Sequence, residues 1–208
     1  ISAPIDARSK TAFRALGGYY TPSPHASWQW REEPLFTGKW SIENERRSGK
    51  WGFRVGAGQQ SSSGYFQNGW YRRWFIRGKL VFDQSSASRW TSRLFMMNDI
   101  HGSFTQWRSA KQPFNAPEES VGDYLTNDKL QWSLTNARIV NSHLSHTAQL
   151  IYFRTAFRNH FHDNRTFSTS HSVTAEWQTD YQWRKHLTTG GIEASGTLVD
   201  ADIWESTS

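Results

Sequence analysis

Apolar and polar positions alternate with period two along much of this chain. In WGFRVGAGQQ (51–60), Trp51, Phe53, Val55 and Ala57 fall on one face, and Gly52, Arg54, Gly56, Gly58 and Gln60 fall on the other. Residues 36–45 divide the same way, with Phe36, Gly38, Trp40 and Ile42 set against Thr37, Lys39, Ser41, Glu43 and Glu45. A third run, 173–182, places Val173, Ala175, Trp177, Thr179 and Tyr181 opposite Ser172, Thr174, Glu176, Gln178, Asp180 and Gln182. Between the first two runs the Gly-containing RRSGK segment predicts a hairpin turn. Strands in soluble sandwiches are typically five or six residues, whereas these runs are about ten, the length a tilted strand needs to cross a bilayer.

The same periodicity predicts strands near 11–20, 70–82, 89–98, 129–139, 144–157 and 187–199, which brings the total to about nine. Their connections alternate in length. Segments 21–35, 61–69, 99–128 and 158–169 are long, and 47–50, 83–88, 140–143 and 183–186 are short. Short turns on one rim and long loops on the other are the pattern of an outer-membrane barrel, with the turns toward the periplasm. On that reading Trp51, Phe82, Trp90 and Tyr181 form one aromatic girdle at the periplasmic ends of their strands. Glu43, Glu45, Arg54, Arg73, Arg77, Lys79, Glu176 and Asp180 line a watery lumen, where Arg54→Ala is expected to cost little. Two stretches break the rule. LFMM (94–97) is apolar on both faces, and 136–140 loses its parity, which predicts a bulge there.

Composition narrows the field further. Twelve Trp, seven Tyr and thirteen Phe are unusual beside a mean hydropathy of −0.75, and no window approaches an apolar transmembrane helix. With no Cys, neither a disulfide framework nor a Cys-built metal site is available. The net charge of +6 permits an acidic partner, but the cations are spread over many strands and mixed with Glu, which is not the basic stripe of a nucleic-acid binder. The chain starts at Ile1, without a signal-like segment, and ends at Ser208 in a polar run, so a piece excised from a longer protein is expected.

Catalytic signatures are lacking, and no enzymatic activity or cofactor is expected. Gly56-Ala57-Gly58 resembles the start of a dinucleotide fingerprint, but Ser61 stands at the third glycine position and a loop follows, so small residues on a crowded strand face are the better reading. His160 and His162 could offer two imidazoles to a metal, yet they lack a third ligand at recognisable spacing, and an exposed polar loop is expected instead. The loops hold richer candidates. Tyr65, Phe66, Phe104 and Trp107 present rings suited to a sugar face or an aromatic chelate, and Arg108 adds charge, with Lys111, Glu118 and Glu119 nearby. The alternative is that these rings pack on one another or sit at an outer girdle.

The stretch WGFRVGAGQQSSSGYFQNGWYRRWFIRGKL (51–80) resembles TonB-dependent outer-membrane receptors in the first part of their barrel. An aromatic-x-aromatic-R-x-G strand is followed there by a loop ending in S-x-G-Y-F-x-N and then by a Y-R-R strand. HGSFTQW (101–107), PFNAPEES (113–120), YFRTAFRNHF (152–161) and GGIEASGTLVDADIW (190–204) are similar to later segments of that family, so the resemblance covers nearly the whole chain. It implies a plugged 22-stranded barrel that takes up scarce ligands with energy delivered by TonB. The plug and TonB box would lie before Ile1, IDARSKT (5–11) would be the passage from plug to barrel, and residues 1–208 would be the first nine or so strands of the barrel domain.

The expectation is therefore an all-β, antiparallel transmembrane barrel fragment in the outer membrane of a Gram-negative bacterium. Its partners would be outer-membrane lipid, TonB through the missing plug, and a small ligand such as an iron chelate, a cobalamin-like molecule or an oligosaccharide. Two rivals stand beside it, a passive porin-like barrel without a plug and a soluble carbohydrate-binding β-sandwich. Nine strands leave two unpaired edges, so the isolated piece is expected to aggregate or to require detergent.

Overall fold

In the computed structural model, which describes residues 9–162 and 164–202, the strands form one antiparallel sheet. They are β1 (Lys10–Tyr19), β2 (Phe36–Ser48), β3 (Trp51–Ser62), β4 (Tyr71–Ser85), β5 (Ser88–Gly102), β6 (Tyr124–Ile139), β7 (Leu144–His160), β8 (Phe167–Trp183) and β9 (His186–Ala201). Each pairs with its neighbour in sequence, and the sheet does not close, leaving β1 and β9 at its edges. Residues 5–8 of the passage segment lie outside the described residues. Three of the four long loops are shorter than the sequence pattern suggests, because strands run on past the alternating runs, while the connection before β2 keeps its length at residues 20–35. β5 continues through NDIHG to Gly102 and β6 begins at Tyr124, which reduces the 99–128 connection to residues 103–123. Those extensions do not alternate, with Ile100 isolated among polar neighbours and Tyr124 and Leu125 adjacent on opposite faces, so a period-two pattern has nothing there to detect.

Turn chemistry fixes the hairpins. Ser48 pairs with Trp51, and Gly49, at φ 55°, takes the left-handed conformation that a two-residue turn needs, which costs a glycine little. At the β8–β9 turn Trp183 pairs with His186, and Arg184 adopts φ 55° in the corresponding place. The expected bulge near 136–140 is absent, since β6 stays in register with β5 and β7 to its end. The irregularity falls instead between Asp83 and Ser85 of β4.

Register assigns every side chain to a face, because directly paired residues point the same way. One face is an apolar belt: Phe53 and Val55 in β3, Leu80 and Ile76 in β4, Leu94 and Met96 in β5, Trp132 and Leu130 in β6, Leu150 and Tyr152 in β7, and Trp177 and Val173 in β8. Most of these rings and branches are exposed, Val55 at 57% and Trp177 at 52%. Among the described residues the buried apolar side chains are Val81, Ala116 and Ala156 alone, so the sheet has no core of its own.

The belt is slanted relative to the pairing direction. Its limit on the long-loop side is Trp74 in β4. The residue opposite Trp74 is Asn98, so in β5 the limit retreats to Met96. Leu130 faces Met96, but the residue opposite Leu130 is Arg154, and the limit retreats again to Tyr152, with Val173 opposite in β8. Four residues of retreat over four strand steps is about 13 Å along and about 19 Å across, a slope of about 35°, which matches the tilt of strands in a closed barrel. The turn-side limit keeps to one row from β3 to β5 and slopes the same way from β5 to β8. Trp51, Phe82 and Trp90 share one row, with Trp51 stacked on Phe82 at 4.4 Å, while Tyr181 lies four residues closer to its turn than Trp177, the β8 residue of that row. Tyr181 thus falls near the height of Trp51 once the strands are tilted, whereas Trp90, in Trp51's row two strands on, stands about 5–6 Å nearer the long loops, so the expected girdle is a band rather than one level.

The opposite face is polar and extensively ion-paired. Arg54 Nε donates to Glu45 at 2.7 Å, Arg77 approaches Glu43 at 2.7 Å and Arg73 donates to Asp99 at 2.9 Å. Glu45 is only 8% exposed, so the expectation that Arg54→Ala costs little is corrected: that change would strand a largely buried carboxylate, at a cost of about 1–3 kcal/mol. Gly56 and Gly58 are the crowded small residues expected on this face. A Cβ at Gly58 would stand 2.6 Å from both the Phe75 ring and the Trp40 carbonyl, whereas one at Gly78, on the apolar face, would meet nothing closer than Leu94 Cβ at 3.8 Å. Gly58→Ala should therefore destabilise the full-length protein by about 1–3 kcal/mol in urea titrations, while Gly78→Ala should be neutral or slightly stabilising.

Candidate functional site

The rim carrying the long loops gathers the aromatics that strands cannot hold. Residues 63–70, between β3 and β4, form a tight turn. Gly64, at φ 82°, lies against the Gly69–Trp70 backbone, where a Cβ would come within 2.4 Å, and the Gly69 amide donates to the Phe66 carbonyl at 2.9 Å. All four residues of this turn from Tyr65 to Asn68 meet residues 103–123, Tyr65 and Phe66 through their rings and Gln67 and Asn68 through hydrogen bonds.

Gln67 and Asn68 sew the two loops together. The Gln67 amide donates to the Phe114 carbonyl at 2.9 Å, and its side-chain oxygen accepts from the Ala116 amide at 3.0 Å. Asn68 is 4% exposed and sits at φ 61°, a conformation asparagine tolerates better than most residues. Its amide nitrogen donates to the carbonyls of Ser103, at 3.2 Å, and Ser120, at 2.5 Å, while its oxygen accepts from the Gly122 amide at 3.1 Å. Three backbone groups of the larger loop are thus satisfied by one side chain.

The rings close over this framework. Phe66 stacks on Phe104 with centroids 5.0 Å apart and planes 13° from parallel, and meets Tyr65 and Phe114 edge-on at 5.6 and 5.2 Å. Tyr65 also contacts Phe114 at 4.9 Å and Tyr20 at 5.8 Å, and Trp28 meets Phe114 at 5.6 Å. Of the five residues singled out in the sequence, the structure brings Tyr65, Phe66 and Phe104 together. Trp107 stands apart, 64% exposed, and Arg108 is held by Glu118. His160 stacks on Tyr124 at 4.4 Å, the two rings 7° from parallel.

Tyr20, Trp28 and Phe114 escaped the sequence reading, as did the part played by residues 21–35. Trp30 of that segment donates from Nε1 to the Tyr65 carbonyl at 3.1 Å. With Tyr65 and Phe114 the segment encloses a cavity of about 180 Å³. Arg31 and Glu33 at its wall form an ion pair, and the hydrogen bond from Arg31 holds the Glu33 carboxyl below its ordinary value. The signal available was two Trp inside a Pro-bounded stretch, TPSPHASWQWREEP, but aromatic content alone gives no partner. Chemically the rim offers ring faces, an apolar recess and paired charges, an inventory for gripping a ligand without covalent chemistry.

Asn68→Ala should release residues 103–123 from their anchor, at a cost of about 2–4 kcal/mol given the hydrogen bonds it removes. Hydrogen exchange of that loop should rise in the variant while β3 and β4 stay protected.

Comparison with protein-family models and with curated protein sequences found no match. Among solved structures, the fold is similar to that of the ferric citrate transporter FecA in its unliganded form, at 10% sequence identity with a TM-score of 0.71. All of this chain is covered in that comparison, and the chain spans about a third (32%) of the transporter's length. The likeness establishes the architecture: nine antiparallel strands arranged as a portion of a β-barrel.

Proposed function

We propose that residues 1–208 are part of the barrel of an outer-membrane transporter of the TonB-dependent type, and that the long-loop rim takes part in capturing a scarce small ligand. The observation that carries this reading is the slanted apolar belt on an otherwise uncovered sheet. Along β4, Phe82 to Trp74 spans about 27 Å, which at a tilt of about 35° is about 22 Å of height, close to the apolar band of outer-membrane barrels. A soluble sandwich needs a second sheet about 10 Å away to cover that face, and all nine strands here belong to one sheet. The fold shared with a ferric citrate transporter supports transport over the passive-pore rival, and the resemblance of 51–80 to TonB-dependent receptors supports the same choice. Energy would then reach the barrel through TonB acting on a plug, and the ligand would be an iron chelate, a cobalamin-like molecule or an oligosaccharide.

The facing is testable with spin labels in the full-length protein. Labels at Val55 and Trp177 should be reached by lipid-soluble oxygen, and a label at Gln178 by an aqueous nickel complex. Val55→Arg should cost about 2–4 kcal/mol if the position lies near the bilayer midplane. Reversed accessibilities would overturn the assigned facing and register.

Ligand capture is assigned to Tyr65, Phe66, Phe104, Trp107 and Arg108. Tyr65 and Phe66 also knit the loops, so Trp107→Ala is the cleaner probe, since that ring has no ring partner among the described residues. In a binding panel of ferric chelates, cobalamin and oligosaccharides, this variant should bind the recognised ligand several-fold more weakly, with barrel assembly intact. Unchanged affinity in a Tyr65→Ala, Phe66→Ala, Trp107→Ala triple variant would locate the site elsewhere in the protein.

A further inference from the structure

We propose that the belt-side groove between β4 and β7 is a lipid site, in which acyl chains lie on apolar side chains and phosphate-bearing headgroups are held at its two flanks, one by Arg72 and one by Arg154. The inference rests on the membrane reading above and adds to it a specific position and headgroup chemistry.

The groove measures about 430 Å³, and its floor on the belt side is Trp74, Ile76, Met96 and Leu130. Its end toward the long loops changes character abruptly, to Asn98, Asp128 and Arg154. Arg72 is two residues beyond Trp74 on the same face and flanks the groove from the β4 side, as Arg154 flanks it from β7. From Arg72 in β4 to Arg154 in β7 the position retreats four residues over three strands, since Arg72 shares a row with Arg158. The two guanidinia therefore follow the slope of the belt and stand at about one height, just past its long-loop limit.

Charge makes the occupant specific. The acids on this part of the face are Asp128, Asp200 and Asp202, the last accepting from the Phe167 amide. Asp128 already accepts from Asn98 Nδ2 at 2.7 Å and has Arg158 at 3.7 Å, and Asp200 lies on the edge strand β9, two strands beyond Arg154. Neither Arg72 nor Arg154 is within ion-pair distance of a carboxylate among the described residues. A guanidinium kept at an apolar boundary favours an oxyanion that it can bind bidentately, and a phosphate attached to acyl chains satisfies the boundary and the groove together.

The test places the full-length protein in nanodiscs holding equal dioleoylphosphatidylglycerol and digalactosyldiacylglycerol, which share chain chemistry but differ in phosphate. Lipids retained after transfer to detergent are counted by native mass spectrometry. Wild type should retain the phosphatidylglycerol over the galactolipid by about threefold or more, as expected for two charge-assisted contacts at an interface. An Arg72→Gln, Arg154→Gln double variant should fall to near parity, and Arg72→Lys with Arg154→Lys, which keeps the charge but not the bidentate geometry, should retain part of the preference, which separates lost charge from lost folding. Insertion without headgroup preference, or a preference unchanged by the Gln substitutions, would overturn the lipid site and leave the transporter reading standing. Failure to insert into any bilayer would overturn both.

Discussion

The inter-strand hydrogen-bond ladder, and the register it sets, is the constraint on which the rest of this architecture depends. With no second layer to pack against, the sheet sorts its residues by parity alone, and a one-residue slip in any hairpin would move every apolar side chain of a strand to the charged face. The hairpins guard against that slip at both levels. Gly49 provides a turn with defined geometry, and across the first hairpin Arg54 and Glu45, directly opposite, form an ion pair that the neighbouring register would break. Asp83, held by Arg47 and Arg89, performs the same service near the turn of the next hairpin. These pairs stand on a face with limited access to solvent, where a mismatched charge costs more than a matched one returns. Their chief effect is therefore selection of register.

The loop rim follows a different logic. Loops between long strands have no ladder to order them, and backbone groups must find partners one by one. Here a single turn, 63–70, supplies many of those partners. Asn68 and Gln67 satisfy the backbone of residues 103–123, and Phe66 lends its ring to Phe104 and Phe114. The outcome is a rim with an ordered foundation, from which Trp107 projects into solvent. A binding surface built in this way loses less conformational entropy on meeting its ligand than one made of free loops.

Sequence was informative wherever side-chain alternation was the physical determinant. Nine strands, their order of short and long connections, and the polar-face placement of Glu43, Glu45, Arg54, Arg73, Arg77, Lys79, Glu176 and Asp180 follow from period two alone, whereas Arg72, Asp128, Arg154 and Arg158 fall on the belt face beyond its long-loop limit. It was uninformative where polarity ceases to alternate: β5 and β6 continue past Asn98 and before Lys129 without a regular face, Tyr124 and Leu125 standing on opposite sides, and the ladder that sustains them leaves no period-two trace. Loss of parity at 136–140 suggested a bulge, but Asn136 sits at the belt's turn-side margin, where a polar side chain is tolerated in regular register. At the rim, GYFQN was legible as aromatic and polar, yet the division of labour within it was not. Tyr65 and Phe66 were visible as rings, whereas the role of Asn68 depends on three carbonyl and amide groups up to 54 residues away.

The slope of the belt also constrains whatever continues the sheet. A retreat of about one residue per strand means that a circuit of n strands returns displaced by about n residues, a shear number close to the strand number. Shear and strand number together set a cylinder's radius, so the stagger between Trp74 and Val173 fixes the tilt of the strands and leaves the radius to follow from the number of strands alone. A strand added beside β9 must begin its own apolar run about one residue nearer the short turns, and a sequence that failed to do so would lift its apolar residues out of the common plane.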